Sequence, residues 1–421
     1  MRVSFGVGQC APSGEFMDFE AARAQFPALE QKTFLDAACV SIAPVAVTNA
    51  IKDFLQLAEQ CPARSATLHH ISMDGMRAAA RPAIGRLINA DEDEIALVES
   101  TSHGLTIAAQ AIPLSTGDRV LLCDLEFMEV ALPWIQLKPR GIEIDVVRTR
   151  GGRFSAEDFA ASLTPNTKVI AISSVQWSNG FRCNLDAISA LAAEHDLWLV
   201  VDAIQQLGAI PLDVKKTRVD LLSCGGHKWL NSPFGTGFLY IRRGAWPKLQ
   251  RPMSGYISVQ PPVDGWGAHF QNPAIQPVMD YKFVESAAGF EVGGTSNYVG
   301  AIALAASLKL IQQLGESRIA ERVCQLTDHL IAGLNTIGVD LVTPPEREHR
   351  AGIVTFSVGS PEENTTLMDK LLAQKILVSV RYTSKVGGVR VSCHYFNNDA
   401  DIDRLLETVE SAVPHVARVS K

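Results

Sequence analysis

The sequence lacks long basic runs, CxxC pairs, an HExxH motif and apolar stretches of membrane-spanning length. Its 38 Lys and Arg residues are outnumbered by 45 Asp and Glu, which gives a formal net charge of −7 over 421 residues. This balance argues against a nucleic-acid binder, because such proteins neutralise phosphates with basic side chains. The longest apolar runs, such as LWLVV, are far shorter than the ~20 residues that cross a bilayer. No nucleic-acid or membrane partner is therefore expected.

Targeting and redox signals are also scarce. The first residues, MRVSFGVGQCAPSGEFMDFE, do not resemble a signal peptide, because Gly interrupts the apolar patch and acidic residues soon follow. Eight cysteines are scattered without metal-ligand spacing, so neither a disulfide framework nor a metal site is indicated. With 47% hydrophobic and 20% charged residues, the composition is typical of a globular protein. A cytoplasmic location with reduced, mostly buried thiols is expected.

The middle of the chain alternates strand-like and helix-like segments. Short runs rich in Val, Ile and Leu are typical of strands buried on both faces. Between them lies a helical pattern at 187–195, with apolar residues at i, i+3 and i+4. This order predicts an α/β fold with a mostly parallel sheet sandwiched by helices. The predicted strands are 120–123, 142–147, 169–173, 198–201 and 221–224.

The pattern changes near residue 297. A long apolar helix at 298–314 leads into a mixed region that ends in a helix at 399–411. The Pro- and Gly-rich stretch 260–277 is expected to be a long loop, and loops of that length are usually functional. The predicted organisation is a large domain at 31–297, a smaller α+β domain at 298–421, and a segment at 1–30 that packs with the small domain.

Chemistry-bearing residues follow three of the predicted strands. Asp202 and Gln205 come after LWLVV. His227 and Lys228 lie in GGHKWL after the next strand, and Phe127 follows VLLCDLE. Ligands of parallel α/β sheets bind beyond the carboxyl ends of the strands, so these side chains are candidates for one site. Singly, an Asp after a strand is usually a turn residue and a Lys is usually solvated.

Thr101 and Ser102 add a candidate anion site. They stand in ESTSHG before a helix predicted to begin near Leu105. The positive end of a helix and its free N–H groups bind phosphate, although such a segment alone more often only caps a helix. The joint order of acid, amine, aromatic ring and anion site makes independent coincidence improbable.

This combination of residues matches the requirements of pyridoxal phosphate. A lysine amine forms a Schiff base with its aldehyde, and a carboxylate beside the pyridine nitrogen keeps the ring an electron acceptor. The phosphate needs an anion site, and an aromatic side chain stacks on the ring. Asp202 and Lys228 are 228 − 202 = 26 residues apart, so the two groups can come from separate strands.

The chain resembles the class V aminotransferase family of fold-type I pyridoxal-phosphate enzymes, which includes cysteine desulfurases, isopenicillin N epimerase-like proteins and kynureninase relatives. The resemblance extends from FLDAACVSIAP at 34–44 to VRVSCHYFNNDADIDRLLE at 389–407. Between them, VDAIQQLG, GGHKWL with PFGTGFLY, and FEVGGTSN occur in the family's order. Any one of these motifs alone would be weak, but the ordered set is specific.

The resemblance implies roles for the residues around the cofactor ring. Lys228 would form the Schiff base and then shuttle the proton of the substrate Cα. Asp202 would pair with the pyridine nitrogen, and Gln205 would bind the phenolic oxygen of the ring. Phe127 would stack on the ring, and Gln176 in SVQWSNGFR is a looser candidate for cofactor contact.

The resemblance also implies a phosphate site and a substrate site. Thr101, Ser102 and His227 would hold the phosphate. Thr295, in GGTSN, would reach the phosphate of a neighbouring subunit, which implies a homodimer with shared active sites. Arg390 would clamp the substrate α-carboxylate, since a planar guanidinium suits bidentate binding. Its neighbours in VRV place its side chain on the opposite face of a strand from theirs.

Three departures from the family pattern bear on the reaction. Desulfurases place a histidine over the ring where this chain has Phe127, which cannot exchange protons. They also carry a nucleophilic cysteine on the loop before the carboxylate-binding arginine, and SVRYTSKVGGVR contains none. The segment with Gln176 and Trp177 differs from the desulfurase loop as well. His69 and His70, in TLHHIS, could be substrate-side residues or ordinary interior histidines.

The sequence thus predicts a homodimeric pyridoxal-phosphate enzyme that acts on an α-amino acid, with an aminotransferase as the first expectation. A β-eliminating carbon–sulfur lyase or an amino-acid epimerase is the alternative, because these reactions share their first steps. A cysteine desulfurase is disfavoured by the missing loop cysteine, and a protein that binds the cofactor without catalysis is disfavoured by the intact Lys228, Asp202 and Arg390. No GxGxxG follows the early strands, which argues against a dinucleotide-binding oxidoreductase.

Overall fold

A computed structural model describes residues 16–413, so residues 1–15 of the predicted N-terminal segment and 414–421 of the predicted small domain lie outside the described residues. The strands are β1 (Thr33–Phe34), β2 (Ile95–Val98), β3 (Arg119–Cys123), β4 (Glu143–Val147), β5 (Thr167–Ser173), β6 (Trp198–Asp202), β7 (Leu221–Gly225), β8 (Gly237–Ile241), β9 (Asp340–Leu341), β10 (Ile353–Ser357), β11 (Ile376–Leu377), β12 (Ser379–Thr383) and β13 (Val386–Ser392). The helices are α1 (Phe19–Arg23), α2 (Val45–Gln60), α3 (Ala66–Ala78), α4 (Ala80–Ile88), α5 (Thr101–Ala111), α6 (Met128–Ile135), α7 (Ala156–Ala160), α8 (Leu185–Glu194), α9 (Gly265–His269), α10 (Tyr298–Leu314), α11 (Glu316–Ile337), α12 (Pro361–Ala373) and α13 (Asp399–Ala412).

The centre of the fold is a seven-stranded sheet in the order β2-β8-β7-β6-β5-β3-β4. Strands β7, β6, β5, β3 and β4 pair in parallel, and β8 runs antiparallel to both of its neighbours. Alternate residues of β5 enter different cores, with Ile170 and Ile172 on one face and Val169 and Ala171 on the other. Because both faces are covered by helices, the strands read as continuous apolar runs. The predicted fold class is confirmed.

A second, antiparallel sheet has the order β12-β13-β10-β9. Its core contains Val354 and Val389 and extends to Leu326 of α11. Helix α10 occupies the predicted residues, but its Leu304 packs in the core of the large sheet. In the described part of the N-terminal segment, Phe26 contacts Phe396 with ring centroids 4.8 Å apart. The predicted domain limits remain a prediction.

Local contacts explain where the predicted element limits were wrong. Helix α5 begins at Thr101 rather than near Leu105, because the Ser100 hydroxyl accepts a hydrogen bond from the His103 N–H at 3.1 Å and caps the helix. Helix α8 begins at Leu185, after the Asn184 cap. The stretch 260–277 is not wholly a loop, since α9 lies within it.

No single helix within residues 16–413 is both long enough and apolar enough to cross a bilayer. Helices α10 and α11 pass only when counted together, and a bend of 78° separates them. Most of the apolar side chains of α10 are buried inside the protein.

Candidate cofactor and substrate site

The predicted site residues converge at the carboxyl edge of the large sheet. Asp202 is the last residue of β6, and Lys228 lies three residues beyond the end of β7. Phe127 precedes α6 in the connection after β3, and Trp177 follows β5. Parallel neighbours bring these carboxyl ends side by side. The topology therefore brings together groups that lie as far apart in the sequence as Phe127 and Lys228, 228 − 127 = 101 residues.

Lys228 and Asp202 form the electrostatic centre of this edge. Burial lowers the pKa of Lys228 to about 8, and the nearby Asp202 carboxylate works against this shift. Burial raises the pKa of Asp202 to about 7, opposed by the Ile204 N–H that donates to its Oδ1 at 2.9 Å and by the Lys228 amine. In residues 16–413 no ion pair or hydrogen bond joins the two side chains directly. Each group therefore affects the pKa of the other, while the Lys228 amine stays free to react.

An aromatic wall stands beside the amine. The Lys228 Nζ lies 5.9 Å from the centroid of the Phe127 ring. Phe127 meets Trp177 edge-on, with centroids 5.1 Å apart. Neither ring titrates, so this side of the site offers stacking area and no proton donor or acceptor of ordinary acidity.

A buried hydrogen-bond network underlies Phe127, and sequence reasoning missed its central residue, Glu126. The Glu126 carboxylate accepts from the Ser173 N–H at 3.0 Å, from the Ser173 hydroxyl at 2.5 Å and from Gln176 Nε2 at 3.0 Å. Burial raises the pKa of Glu126 despite these donors. Gln176 is thus held below the aromatic wall, and its buried Oε1 has no partner among the described residues. Its predicted contact with the cofactor remains a prediction.

The first turn of α5 is fastened to β7. The Thr101 hydroxyl accepts from the Gly225 N–H at 2.8 Å, and the Ser223 hydroxyl donates to the Thr101 carbonyl at 3.0 Å. A Cβ on Gly104 would lie 2.3 Å from the Ser223 Oγ, so only glycine allows this close approach. The Thr101 and Ser102 N–H groups have no protein acceptor within residues 16–413. They form the free end of a helix dipole, which is suited to an anion.

His227 joins this corner as a neutral ring. It stacks on Phe234 with centroids 4.9 Å apart. Burial, followed by the positive Lys228 amine, lowers the pKa of His227 to about 4. If His227 holds a phosphate, as the sequence predicts, it does so at neutral pH by hydrogen bonding and not as a cation.

Arg390 lies inside β13, fully buried, and its guanidinium already has partners. Its Nη2 is 3.1 Å from Asp36 Oδ1, and its Nη1 donates to the Trp177 carbonyl at 3.0 Å. The Asp36 carboxylate also accepts from the Ser379 hydroxyl at 3.0 Å. The Nε of Arg390 is buried without a partner in the described chain. A donor therefore remains for a substrate carboxylate, and the role of Asp36 was not foreseen from the sequence.

Cys39 is a second residue that sequence reasoning missed. It was expected to be an ordinary buried thiol, but it is exposed. Arg381 Nη2 lies 3.6 Å from its sulfur. A charge on Cys39 would raise the pKa of both Lys228 and Arg390, so the sulfur belongs to the same neighbourhood. The loop after β1 therefore carries an exposed thiol whose charge would act on two of the site residues.

Thr295 sits exposed on a firmly anchored loop. At the start of this loop, Glu291 is paired with Arg77 at 2.7 Å and with Arg81 at 2.5 Å. At its end, the Asn297 side chain caps α10 by accepting from the Gly300 N–H at 2.8 Å. The loop therefore presents Thr295 outward, as a contact with a neighbouring subunit would require.

His69 and His70 lie on α3, where the sequence left their roles open. His69 is half-buried, and its buried Nδ1 lacks a partner among the described residues. His70 is exposed beside Asp74, with Nε2 and Oδ1 3.6 Å apart. Asp74 also accepts from the Tyr298 hydroxyl. His70 is therefore not an interior histidine.

The donor set fits pyridoxal phosphate. Within the described part of the chain, an unpaired amine, a buried carboxylate that accepts through Oδ1 alone, an aromatic face and a helix start with unpaired N–H groups all meet at one sheet edge. In this arrangement Lys228 would hold the aldehyde carbon, Asp202 the ring nitrogen and the start of α5 the phosphate. The fold and the site define a fold-type I pyridoxal-phosphate enzyme.

Comparison with known families agrees with this class. The family model described as Aminotransferase class-V matches residues 33–405. The chain belongs to the class V aminotransferase family, and its cofactor is pyridoxal phosphate.

Several relatives that this chain matches carry sulfur-related names. A protein of Methanothermobacter thermautotrophicus named "Probable cysteine desulfurase" is 26% identical over 94% of this chain and 98% of its own. The apo structure of the cysteine desulfurase from Thermococcus onnurineus NA1 shares the fold with a TM-score of 0.82 at 24% identity, covering 96% of this chain and 99% of its own. The cystine C–S lyase C-DES in complex with its product, cysteine persulfide, has a TM-score of 0.81 at 26% identity, covering 92% and 99%.

Proposed function

We propose that this chain is a pyridoxal-phosphate-dependent carbon–sulfur lyase that cleaves a cysteine-like α-amino acid by β-elimination. The observation that carries the proposal is the Lys228 amine, which pairs with no described residue and whose Nζ lies 5.9 Å from the centroid of the Phe127 ring in the aromatic wall. The names of the relatives, including the cystine C–S lyase at 26% identity, favour this reaction over the aminotransferase expected first. An amino-acid epimerase needs a second base on the opposite face, and Phe127 with Trp177 cannot serve as one.

The bound cofactor supplies an electron sink for a carbanion at the substrate Cα. Lys228 is suited to remove the Cα proton, because a pKa of about 8 leaves part of its amine neutral near neutral pH. Arg390 would hold the α-carboxylate through its unpartnered Nε. With the Cα proton removed, the Cβ–S bond breaks and the sulfur leaves with the electron pair. One substrate and one water then give a thiol or persulfide, pyruvate and ammonia.

Product analysis of the loaded enzyme tests this proposal. We expect L-cystine or an S-substituted L-cysteine to give pyruvate and ammonia in equal amounts without an added keto acid. The Lys228→Ala variant should lose this activity and the visible absorbance of bound cofactor, while Lys215→Ala, which removes an exposed lysine paired with Asp91, should keep both. Amino-group transfer that depends on an added keto acid would contradict elimination and restore the aminotransferase.

A cysteine desulfurase is the second candidate, and Cys39 is the observation that favours it. In that reaction the Cys39 thiolate attacks the substrate sulfur, a new S–S bond forms, and the C–S bond breaks with its electrons moving to Cβ. Cysteine and the protein thiol thus become alanine and a protein persulfide. Arg381, whose Nη2 lies 3.6 Å from the Cys39 sulfur, would contact this nucleophile.

The product of L-cysteine turnover separates the two candidates. Elimination gives pyruvate and is kept in Cys39→Ser. Desulfuration gives alanine, loads sulfur onto Cys39 and is lost in Cys39→Ser but kept in Cys61→Ser, which alters another exposed cysteine. Alanine formation that survives in Cys39→Ser would exclude Cys39 as the acceptor.

We propose a homodimer, supported by exposed apolar side chains on α3 and at the end of α9. Leu68 is 50% exposed, Ile71 is 56% exposed and Phe270 is 60% exposed. The two helices adjoin, since a Cβ on Gly267 would lie 3.7 Å from Thr67 Cγ2. Exposed apolar side chains on neighbouring elements are typical of protein–protein interfaces. All seven cysteines among the described residues are free, which supports the cytoplasmic location we propose.

A further inference from the structure

The Gln205 side chain is held at both ends. Its Oε1 accepts from the Trp229 indole Nε1–H at 2.8 Å, and its Nε2 donates to the Ala38 carbonyl at 3.1 Å. Gln205 is only 3% exposed. An amide nitrogen carries two hydrogens, so one N–H of Gln205 is left after the bond to Ala38.

The two partners allow only one orientation of this amide. An indole N–H can only donate and a carbonyl can only accept. Rotating the amide by half a turn would set its nitrogen against the Trp229 N–H and its oxygen against the Ala38 carbonyl, which breaks both bonds. The network therefore fixes the remaining Gln205 group as a donor.

Trp229 is itself locked in a fitted slot. Its indole stacks on His394 at 5.3 Å and 12°, and His394 Nε2 is 3.1 Å from the Trp229 carbonyl. His394 Nδ1 accepts from the Tyr395 N–H at 2.9 Å, so the ring proton lies on Nε2 and is donated to that carbonyl. Burial lowers the pKa of His394 to about 3, which keeps the ring neutral. A Cβ on Gly352 would lie 2.3 Å from Trp229 Cη2, so glycine leaves the room for the indole.

We propose that Trp229 is a positioning residue that fixes the amide of Gln205 so that its free N–H, and never its carbonyl, is offered to the phenolic oxygen of pyridoxal phosphate. The proposal rests on the expected place of Gln205 beside that oxygen. A donor stabilises the anionic form of the oxygen. Loss of the donor should therefore raise the apparent pKa of the loaded site, and it should weaken cofactor binding.

The test uses the holoenzyme in pH titrations of its visible absorbance. Gln205→Ala should move the apparent pKa upward and weaken pyridoxal phosphate binding about fivefold, the effect of one net hydrogen bond. Trp229→Phe should also raise the apparent pKa and weaken pyridoxal phosphate binding, each by a smaller amount. In the Gln205→Ala background, Trp229→Phe should add nothing, since it acts through Gln205. The matched control is Trp246→Phe, which also removes an indole bond to oxygen, the Ile241 carbonyl at 3.0 Å, and should leave the spectrum unchanged.

Three results would overturn the proposal. If Trp229→Phe shifts the apparent pKa equally in the wild type and in the Gln205→Ala background, Trp229 acts by packing alone. If the apparent pKa shifts in Gln205→Ala but not in Trp229→Phe, the Gln205 amide keeps its orientation without the Trp229 hydrogen bond. An unchanged Gln205→Ala spectrum would remove the premise, while Lys228→Ala tests the cofactor link separately. If Trp229→Phe does not fold, benzothienylalanine at residue 229 keeps the shape, replaces the N–H by sulfur and must give the same shift.

Discussion

At the scale of single residues, the chemistry depends on one amine whose pKa is set by its surroundings. Burial lowers the pKa of Lys228 to about 8, and the Asp202 carboxylate opposes that shift. An ordinary lysine has a pKa of about 10.4. Because only the neutral amine attacks an aldehyde, the protein makes this lysine reactive without making it permanently neutral.

The first prediction follows from the sign of this shift. The rate of cofactor loading into the unloaded protein should rise with pH up to about 8 and level off above it, since the neutral fraction of Lys228 falls about tenfold per pH unit below the pKa. Stopped-flow absorbance checks this. In Asp202→Asn the plateau should begin at lower pH, because the carboxylate that raises the pKa of Lys228 is gone. A rate that still climbs above pH ~10 would show an unperturbed lysine.

The second prediction concerns Arg390. Arg390→Lys keeps the charge but loses the planar fork, so KM for the amino acid should rise about tenfold or more with a smaller change in kcat. Steady-state kinetics measure this. Arg350→Lys is the matched control, since Arg350 is equally buried and pairs with Thr327 and Asp328 of α11; it should lower stability and leave KM unchanged. An unchanged KM in Arg390→Lys would remove Arg390 from substrate binding.

Most of the site residues could be predicted from the sequence because they lie next to strand ends. Asp202 and Lys228 can be identified because each follows an apolar run that predicts a strand. Asp36 does not, because its partner Arg390 is 354 residues away in the chain. Glu126 was not predicted, because its role depends on hydrogen bonds with Ser173 and Gln176, which follow from the pairing of strands and not from the local sequence. Contacts between distant segments leave no local pattern, and such contacts define the rest of the site.

At the scale of elements, the site depends on how α5 is joined to β7. Thr101 begins the helix, and its hydroxyl accepts the Gly225 N–H at the end of the strand. This bond sets the free end of the helix against the segment that carries His227 and Lys228. The sequence indicated the helix start through its serine and threonine residues, but it could not indicate which strand the hydroxyl would meet.

The third prediction tests the hydrogen bond between the Gly225 N–H and the Thr101 hydroxyl, which joins α5 to β7. Thr101→Ala leaves the buried Gly225 N–H without a partner, which should cost about 1–3 kcal/mol of unfolding free energy. Thr101→Ser keeps the hydroxyl and should retain most of that stability. Urea unfolding of the unloaded protein provides the comparison. Equal losses in both variants would mean that the methyl group, and not the hydrogen bond, matters.

At the scale of the whole molecule, the question is whether one chain forms a complete site. Thr295 is exposed on a loop anchored by Glu291 and Asn297, so it can serve a neighbouring chain. The large parallel sheet was predictable from its apolar runs. The homodimer was expected only from the family resemblance, because the apolar side chains of α3 and α9 that would form its interface come together only after folding.

The fourth prediction uses mixed dimers of Lys228→Ala and Thr295→Ala subunits. If Thr295 acts across the interface, each mixed dimer contains one site with both residues and binds pyridoxal phosphate with wild-type affinity at that site. If Thr295 acts within its own subunit, no such site exists in the mixture. Cofactor titration of tagged, purified hybrids distinguishes the two cases. As a check on the interface, Ile71→Glu should weaken dimers in sedimentation, and Leu372→Glu on α12 should not.

The central claim is the covalent link between Lys228 and the cofactor. Reduction of the loaded wild-type protein with borohydride, followed by peptide mass spectrometry, locates that link directly. The account predicts one pyridoxyl group per chain on the peptide that contains Lys228, and none in Lys228→Ala. Labelling of any other lysine as the main product, or undiminished labelling of Lys228→Ala, would contradict it.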